Sequence, residues 1–251
     1  TLVESLFADD PEVRMAAVQR IPLEPNSAAG VLLALKLDDW DFTVADAAVE
    51  SAGRLRDPVL GRNVARRVRQ YVDMLGREPA AAQEAVYHLA LIAHLGRFAP
   101  LAAADTDDGA AAVLAALELL SRSPLRAELG GMGSVALAAG STRREAAAPA
   151  LLALLDDESM HRILPSLDDG RSPLQTVGDA ALLALLHIYD LPPAAFGLRA
   201  AGPEWSDHAF RTPGDRRHGV ERFRQWHAEN AARPAAERRP PSTQSAEPAQ
   251  P

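Results

Sequence analysis

The sequence predicts an all-α protein built from stacked helix pairs, and three observations carry that prediction. Alanine, the strongest helix former, makes up about a fifth of the chain, far above ordinary usage. Runs of alternating β-branched residues, the mark of a half-buried strand, are absent. A short phrase also recurs: Val13-Arg14-Met15-Ala16-Ala17-Val18, then Val44-Ala45-Asp46-Ala47-Ala48-Val49, and later Val177-Gly178-Asp179-Ala180-Ala181-Leu182. At helical spacing each copy sets apolar residues and two small ones on one stripe, and such units bury that stripe only by stacking on neighbours. The first two copies start about 31 residues apart, and the third leaves room between for about three or four more units.

Taken in order, Leu2 to Phe7 reads as the tail of a helix. Asp10-Pro11-Glu12 opens a second, because proline fits the first turn and acids favour its positive end. It runs to about Ile21 and stops at the prolines 22 and 25. Asn26-Ser27 is expected to cap a helix through Leu37, Asp41 to open one to about Leu55, and Asp57-Pro58 one ending near Gly76. The last shows the period best. Val59, Leu60, Val64, Ala65, Val68, Tyr71, Val72 and Leu75 form one face, while Arg62, Arg66, Arg67 and Arg69 occupy the other. Further helices are expected over 79–95, 108–121, 141–155 with Ser141-Thr142 as cap, and 176–189. Glycines 130, 131 and 133 make 126–139 ambiguous, and 131–136 reads as a flexible inter-helix turn. The organisation is therefore helical repeats over 1–190, a capping segment over 191–230, and a tail over 231–251. That tail of Pro, Ala, Arg, Ser and Gln has no period and is expected to be disordered.

Composition narrows the function. A net charge of −8 argues against nucleic acid as principal partner, since phosphate binding needs a basic surface. The absence of cysteine excludes disulfides, thiolate nucleophiles and cysteine zinc sites. No apolar run is long enough to span a bilayer. The single lysine, Lys36, reads as a coding bias toward arginine. Thr1 in place of methionine gives the expectation of a processed or trimmed chain, a signal peptide being one segment that processing removes.

Several constellations fall to simpler readings. Asp105-Thr106-Asp107-Asp108-Gly109 invites calcium, but an EF-hand loop needs glycine sixth and glutamate twelfth, and the latter position holds Ala116. A helix cap at Asp107 or Asp108 is the better account. Asp156-Asp157-Glu158, His161 and Asp168-Asp169 read as turn acids. None of the histidines has the spacing that puts two ligands on one helical face, and His88 and His187 read as packing residues. No cofactor or metal is expected. The best candidate patch is the arginine face, Arg62, Arg66, Arg67 and Arg69, with Arg54 and Arg56 nearby, since guanidinium forks suit a partner's carboxylates.

The aspartate-proline turns, paired amphipathic helices and Val-x-x-Ala-Ala phrase resemble HEAT or armadillo-type repeats over 1–189. The stretch 176–198, through His187-Ile188-Tyr189-Asp190-Leu191-Pro192-Pro193, with Phe210 and Phe223-Arg224-Gln225-Trp226, is similar to the C-terminal end of uncharacterised bacterial HEAT-repeat proteins. The resemblance implies an α-α superhelix and an interaction role, with no catalytic residues to carry over. An open array needs its last apolar face covered, and Phe196, Leu198, Phe210, Val220, Phe223 and Trp226 are expected to do so. The expected function is a non-enzymatic scaffold or adaptor that binds a protein or peptide along its concave surface. The alternative is an enzyme on a HEAT-like scaffold, DNA glycosylase-like or tetrapyrrole lyase-like, for which Trp40, Asp41, Trp205 and Asp207 are the suggestive residues. A third reading is one module of a larger assembly.

Overall fold

Local chemistry starts most of the helices where the sequence places them. The computed structural model describes residues 1–23, 28–55, 58–75, 107–122, 131–165 and 172–238. Helix α1 (Leu2–Leu6) is followed by α2 (Pro11–Arg20), whose cap Asp10 accepts the Glu12 N–H at 2.9 Å, and by a 3₁₀ turn, Ile21–Leu23. Next come α3 (Ala29–Lys36), α4 (Phe42–Leu55) and α5 (Pro58–Leu75). Then follow α6 (Asp107–Ser121), α7 (Gly131–Ser141) and the short α8 (Ala148–Leu152). Helices α9 (Val177–Ile188) and α10 (Pro213–Asn230) each begin with a reciprocal capping box, Thr176 with Asp179 and Thr212 with Asp215.

The helices pack in chain order with a recurrent skip. Helix α1 lies on α2, α2 on α4, and α3 on both α4 and α5. Further along, α5 meets α6, α6 meets α7, and α7 meets α9. The helices bearing the first two copies of the phrase thus lie against each other, and so do the helices that follow them. Ala17 and Val18 of α2, and Val44 and Ala48 of α4, are buried at this level, while Val13 and Ala16 stay exposed. In α9 the whole third copy is buried. A single core connects Leu6 of α1 to Trp226 of α10.

The protein is mainly helical, consistent with an all-α fold, and two short strand pairs accompany the helices. Strands β1 (Met160–Ile163) and β2 (Leu174–Thr176) form an antiparallel ladder with Ile163 opposite Leu174. Strands β3 (Arg199–Ala200) and β4 (His208–Ala209) form a second. Such short segments cannot display a period of two, so the alternation test misses them.

Three expectations change. The glycine-rich 131–136 is not a turn but the start of α7. A Cβ at Gly133 would stand 2.3 Å from the His161 ring, and one at Gly140 2.6 Å from the Ala184 backbone. These glycines serve close approach to neighbours, and that tertiary gain overrides their poor helix propensity. Ser141 and Thr142 do not start a helix. Their hydroxyls donate to Ala138 and Ala139 carbonyls at 2.7 Å and finish α7, and the chain then makes a 3₁₀ turn (Glu145–Ala147) before α8. Residues 231–238, expected to be disordered, hold a turn and the 3₁₀ segment Ala235–Glu237, because Arg238 packs on the Tyr189 ring at 4.9 Å and pairs with Glu145 at 2.7 Å. The expected helix over 79–95, the Asn26-Ser27 cap and the end of the tail lie outside the described residues, and the N-cap position of α3 falls on Ala28.

The six residues assigned to cover the C-terminal end are all buried. Phe196 and Phe223 meet edge to face at 5.8 Å, and Tyr189 meets Trp226 similarly at 5.4 Å. Gly219 lets α10 approach the 3₁₀ segment Pro193–Phe196, since a Cβ there would stand 2.3 Å from the Phe196 carbonyl.

Candidate functional site: a buried ion cluster beneath two exposed rings

The arginine face of α5 is partly engaged within the chain. Arg69 donates to the Asp108 carboxylate at 3.1 Å and to its carbonyl at 3.2 Å, which ties α5 to the start of α6. Arg66 is exposed and reaches Asn63 of its own helix at 2.9 Å. The side chains of Arg62 and Arg67 lie outside the described ones, as does Arg56, and Arg54 pairs with Glu50. Asp107 and Asp108, from the stretch weighed for calcium, open α6 and take Arg144 and Arg69 as partners. Asp105 and Thr106 are not among the described residues.

A denser group sits where α1, α2 and α3 meet. Arg14 of α2 forks onto Asp39, with Nε to Oδ2 at 3.1 Å and Nη2 to Oδ1 at 3.0 Å. Its Nη1 donates to the carbonyls of Ala8 and Asp9 at 2.9 and 2.8 Å. Lys36, at the end of α3, adds a third cationic contact to Asp39 at 3.0 Å, and the Asp41 N–H a fourth donor at 3.1 Å. The side chains of Arg14, Asp39 and Lys36 are 3%, 2% and 9% exposed. Burial alone pushes the Asp39 carboxyl pKa up. The bonds from Arg14, Asp41 and Lys36 outweigh it and hold the group below the ordinary carboxylate range. Each oxygen of the Asp39 carboxylate thus accepts two charge-assisted or backbone bonds, which fixes its orientation.

Two aromatic rings lie on this cluster yet face water. The Lys36 ammonium stands 4.6 Å from the centre of the Phe7 ring, and the Arg14 guanidinium 4.7 Å from that of Trp40. Phe7 is 60% exposed and Trp40 77%. In the sequence Arg14 shows only as a member of the repeated phrase, and Asp39 carries no signal. Their pairing across 25 positions left one weak sign: an arginine inside an otherwise apolar phrase.

The C-terminal half builds comparable networks around Arg216 and Arg162. Arg216 of α10 donates to Asp179 at 2.8 Å and to the Leu155 carbonyl at 2.9 Å, passing over Gly178, where a Cβ would stand 2.2 Å away. Arg162 of β1 binds Gln175 and Asp207, and the fully buried Gln175 amide donates to the carbonyls of Ser206 and His208. The turn acids Asp156 and Glu158 pair with Arg224 and Arg216. His161 packs over Gly133.

The residues singled out for an enzyme have structural employment. Asp41 caps α4, where bonds from the Thr43 hydroxyl and N–H lower its pKa. Trp205 stacks on His187 at 4.3 Å, and Asp207 pairs with Arg162 at 3.0 Å. His187, in the last turn of α9, is half-buried, and burial followed by the nearby Arg143 charge lowers its pKa. His88 lies outside the described residues. Among the described residues no group of three His, Asp or Glu is placed to hold a metal ion, and no helix is long and apolar enough to cross a membrane. Comparison with family models, curated proteins and solved structures yields no match.

Proposed function

We propose that the protein is a non-enzymatic helical-repeat scaffold, a HEAT-like α-α superhelix that binds a protein or peptide. The observation that carries this reading is the paired packing of α2 on α4 and α3 on α5, with the repeated phrase at the α2–α4 contact. Units that stack this way present long surfaces and leave the terminal faces to be covered or used. The exposed rings of Phe7 and Trp40 add support, because aromatic anchors on rigid supports are the usual centres of protein interfaces. The aspartates an enzyme reading would draw on are committed, Asp41 to a helix cap and Asp207 to Arg162.

The test is affinity capture from native extract with three baits: the intact chain, a variant with Arg62, Arg66 and Arg69 changed to Glu, and one with Phe7 and Trp40 changed to Ala. A partner held by the intact chain and lost with either variant supports the scaffold and locates its surface. Identical recovery by all three baits, or no specific recovery by any, discards it.

A further inference from the structure

The Phe7–Trp40 surface has a definite electrostatic character. The two local cations, Arg14 and Lys36, are drawn inward onto Asp39, which offsets one of their two charges and leaves a net charge of +1 buried beneath the rings. Carboxylates flank the two rings along the chain. Asp9 and Asp10 are exposed in the turn whose carbonyls hold Arg14, Glu12 is exposed at the start of α2, and Asp41 directly follows Trp40. Two large rings, fixed from beneath by cation contacts, therefore stand among carboxylates.

We infer that this surface docks a basic protein segment, one that sets a guanidinium or aliphatic group against Phe7 and Trp40 and its other positive charges against the surrounding carboxylates. The inference rests on the scaffold reading and names the partner's chemistry. Arginine suits the site twice over, since its plane stacks on aromatic faces and its fork pairs with carboxylates. Complementary charge orients and speeds the encounter, and the pre-fixed rings lose little freedom on binding. An acidic partner or a nucleic acid would meet repulsion of like charges here.

The experiment is fluorescence anisotropy of the whole chain against three labelled peptides of matched length and leucine content, one rich in arginine, one in glutamate and one in serine. The arginine peptide is expected to bind at least about tenfold tighter than the other two, and to weaken severalfold as salt is raised. Trp40→Ala should weaken it about tenfold or more, with far-UV circular dichroism unchanged because the ring is exposed. Asp9→Asn combined with Asp10→Asn should also weaken it, while the asparagine oxygen at position 10 keeps the helix cap. Equal binding of the three peptides, or indifference to Trp40→Ala, overturns the inference. Self-association in sedimentation that Trp40→Ala abolishes also overturns it, because a second copy then covers the rings. In the capture experiment, loss confined to the arginine variant discards this surface and leaves the scaffold standing, whereas identical recovery by all baits discards the scaffold itself.

Discussion

The two ends of the molecule use the same device in different settings. At each end a nearly buried arginine binds an aspartate and the carbonyls of a turn that follows a short helix: Arg14 with Asp39, Ala8 and Asp9, and Arg216 with Asp179 and Leu155. At the C-terminal end the aromatics go inside, where Phe196, Phe223, Trp226 and Tyr189 share one cluster. At the N-terminal end they go outside, onto the cations of the clamp itself. An arginine clamp thus lies beside a buried aromatic cluster at one end and beneath two exposed rings at the other. If the contrast is right, mutating the clamps should hurt both ends, and mutating the aromatics should not.

The largest effects are expected where a buried partner is stranded. Arg216→Ala leaves Asp179 buried at 3% exposure, and Arg14→Ala leaves Asp39 with Lys36 and the Asp41 N–H. Arg216→Ala should cost about 3–5 kcal/mol in urea unfolding, and Arg14→Ala less, because Lys36 still balances the Asp39 charge. Trp226→Ala, emptying a buried ring site, belongs in the same range of about 3–5 kcal/mol. A clamp deletion at only one end that proves silent would mean that the two networks are not equivalent.

Next in size is the close contact between α7 and α9. Gly140→Ala drives a methyl toward the Ala184 backbone, which cannot swing away as a side chain tip can. Overpacking of this kind costs about 1–3 kcal/mol. Gly214→Ala is the control, since a Cβ there meets only the Thr212 hydroxyl at 3.5 Å. Equal melting temperatures for the two variants would show that α7 and α9 are not closely apposed.

A smaller effect is expected from pH, with a different onset at each end. His187 and His227, both in the C-terminal half, have pKa values lowered from 6.5, first by burial and then by neighbouring arginines. The unfolded chain therefore takes up protons first, and their contribution to stability is lost as pH falls below 6.5 toward the folded values. Asp39 at the N-terminal end has its pKa lowered from 3.8, so its contribution persists down to that value and is lost as pH falls through the folded pKa. Urea titrations over this range should show stability falling with pH in both windows. His227→Gln should flatten the upper window and leave the lower one unchanged.

What the sequence reveals about this fold is what lies within one or two turns of chain. The starts of α2, α4 and α9 were legible because Asp10, Asp41 and Thr176 act on N–H groups two or three residues away. Gly133 of α7 was misread because its reason, the ring of His161, lies 28 positions distant. The candidate site was half legible. The arginine row of α5 shows as a pattern, but Asp108, which engages Arg69, is 39 residues on. Arg14 and Asp39 were invisible for a physical reason: a charged residue in an amphipathic pattern reads as solvent-facing unless its buried partner is known.

The smallest expected effect is the one that tests the contrast most directly. Trp40 and Trp226 are the same residue type in equivalent company, each near a helix end and beside other rings or cations. Trp226 is 5% exposed and Trp40 77%. Removing Trp40 should forfeit little beyond its contact with Arg14, at most about 1 kcal/mol for an exposed cation–π pair. Removing Trp226 should cost several times that. A Trp40→Ala variant that unfolds as readily as Trp226→Ala would make Trp40 a structural residue held inside under working conditions, and the N-terminal end would then resemble the C-terminal one. A variant that keeps its stability but loses its partner would establish that the ring is displayed for binding and that the clamp beneath it exists partly to hold it there.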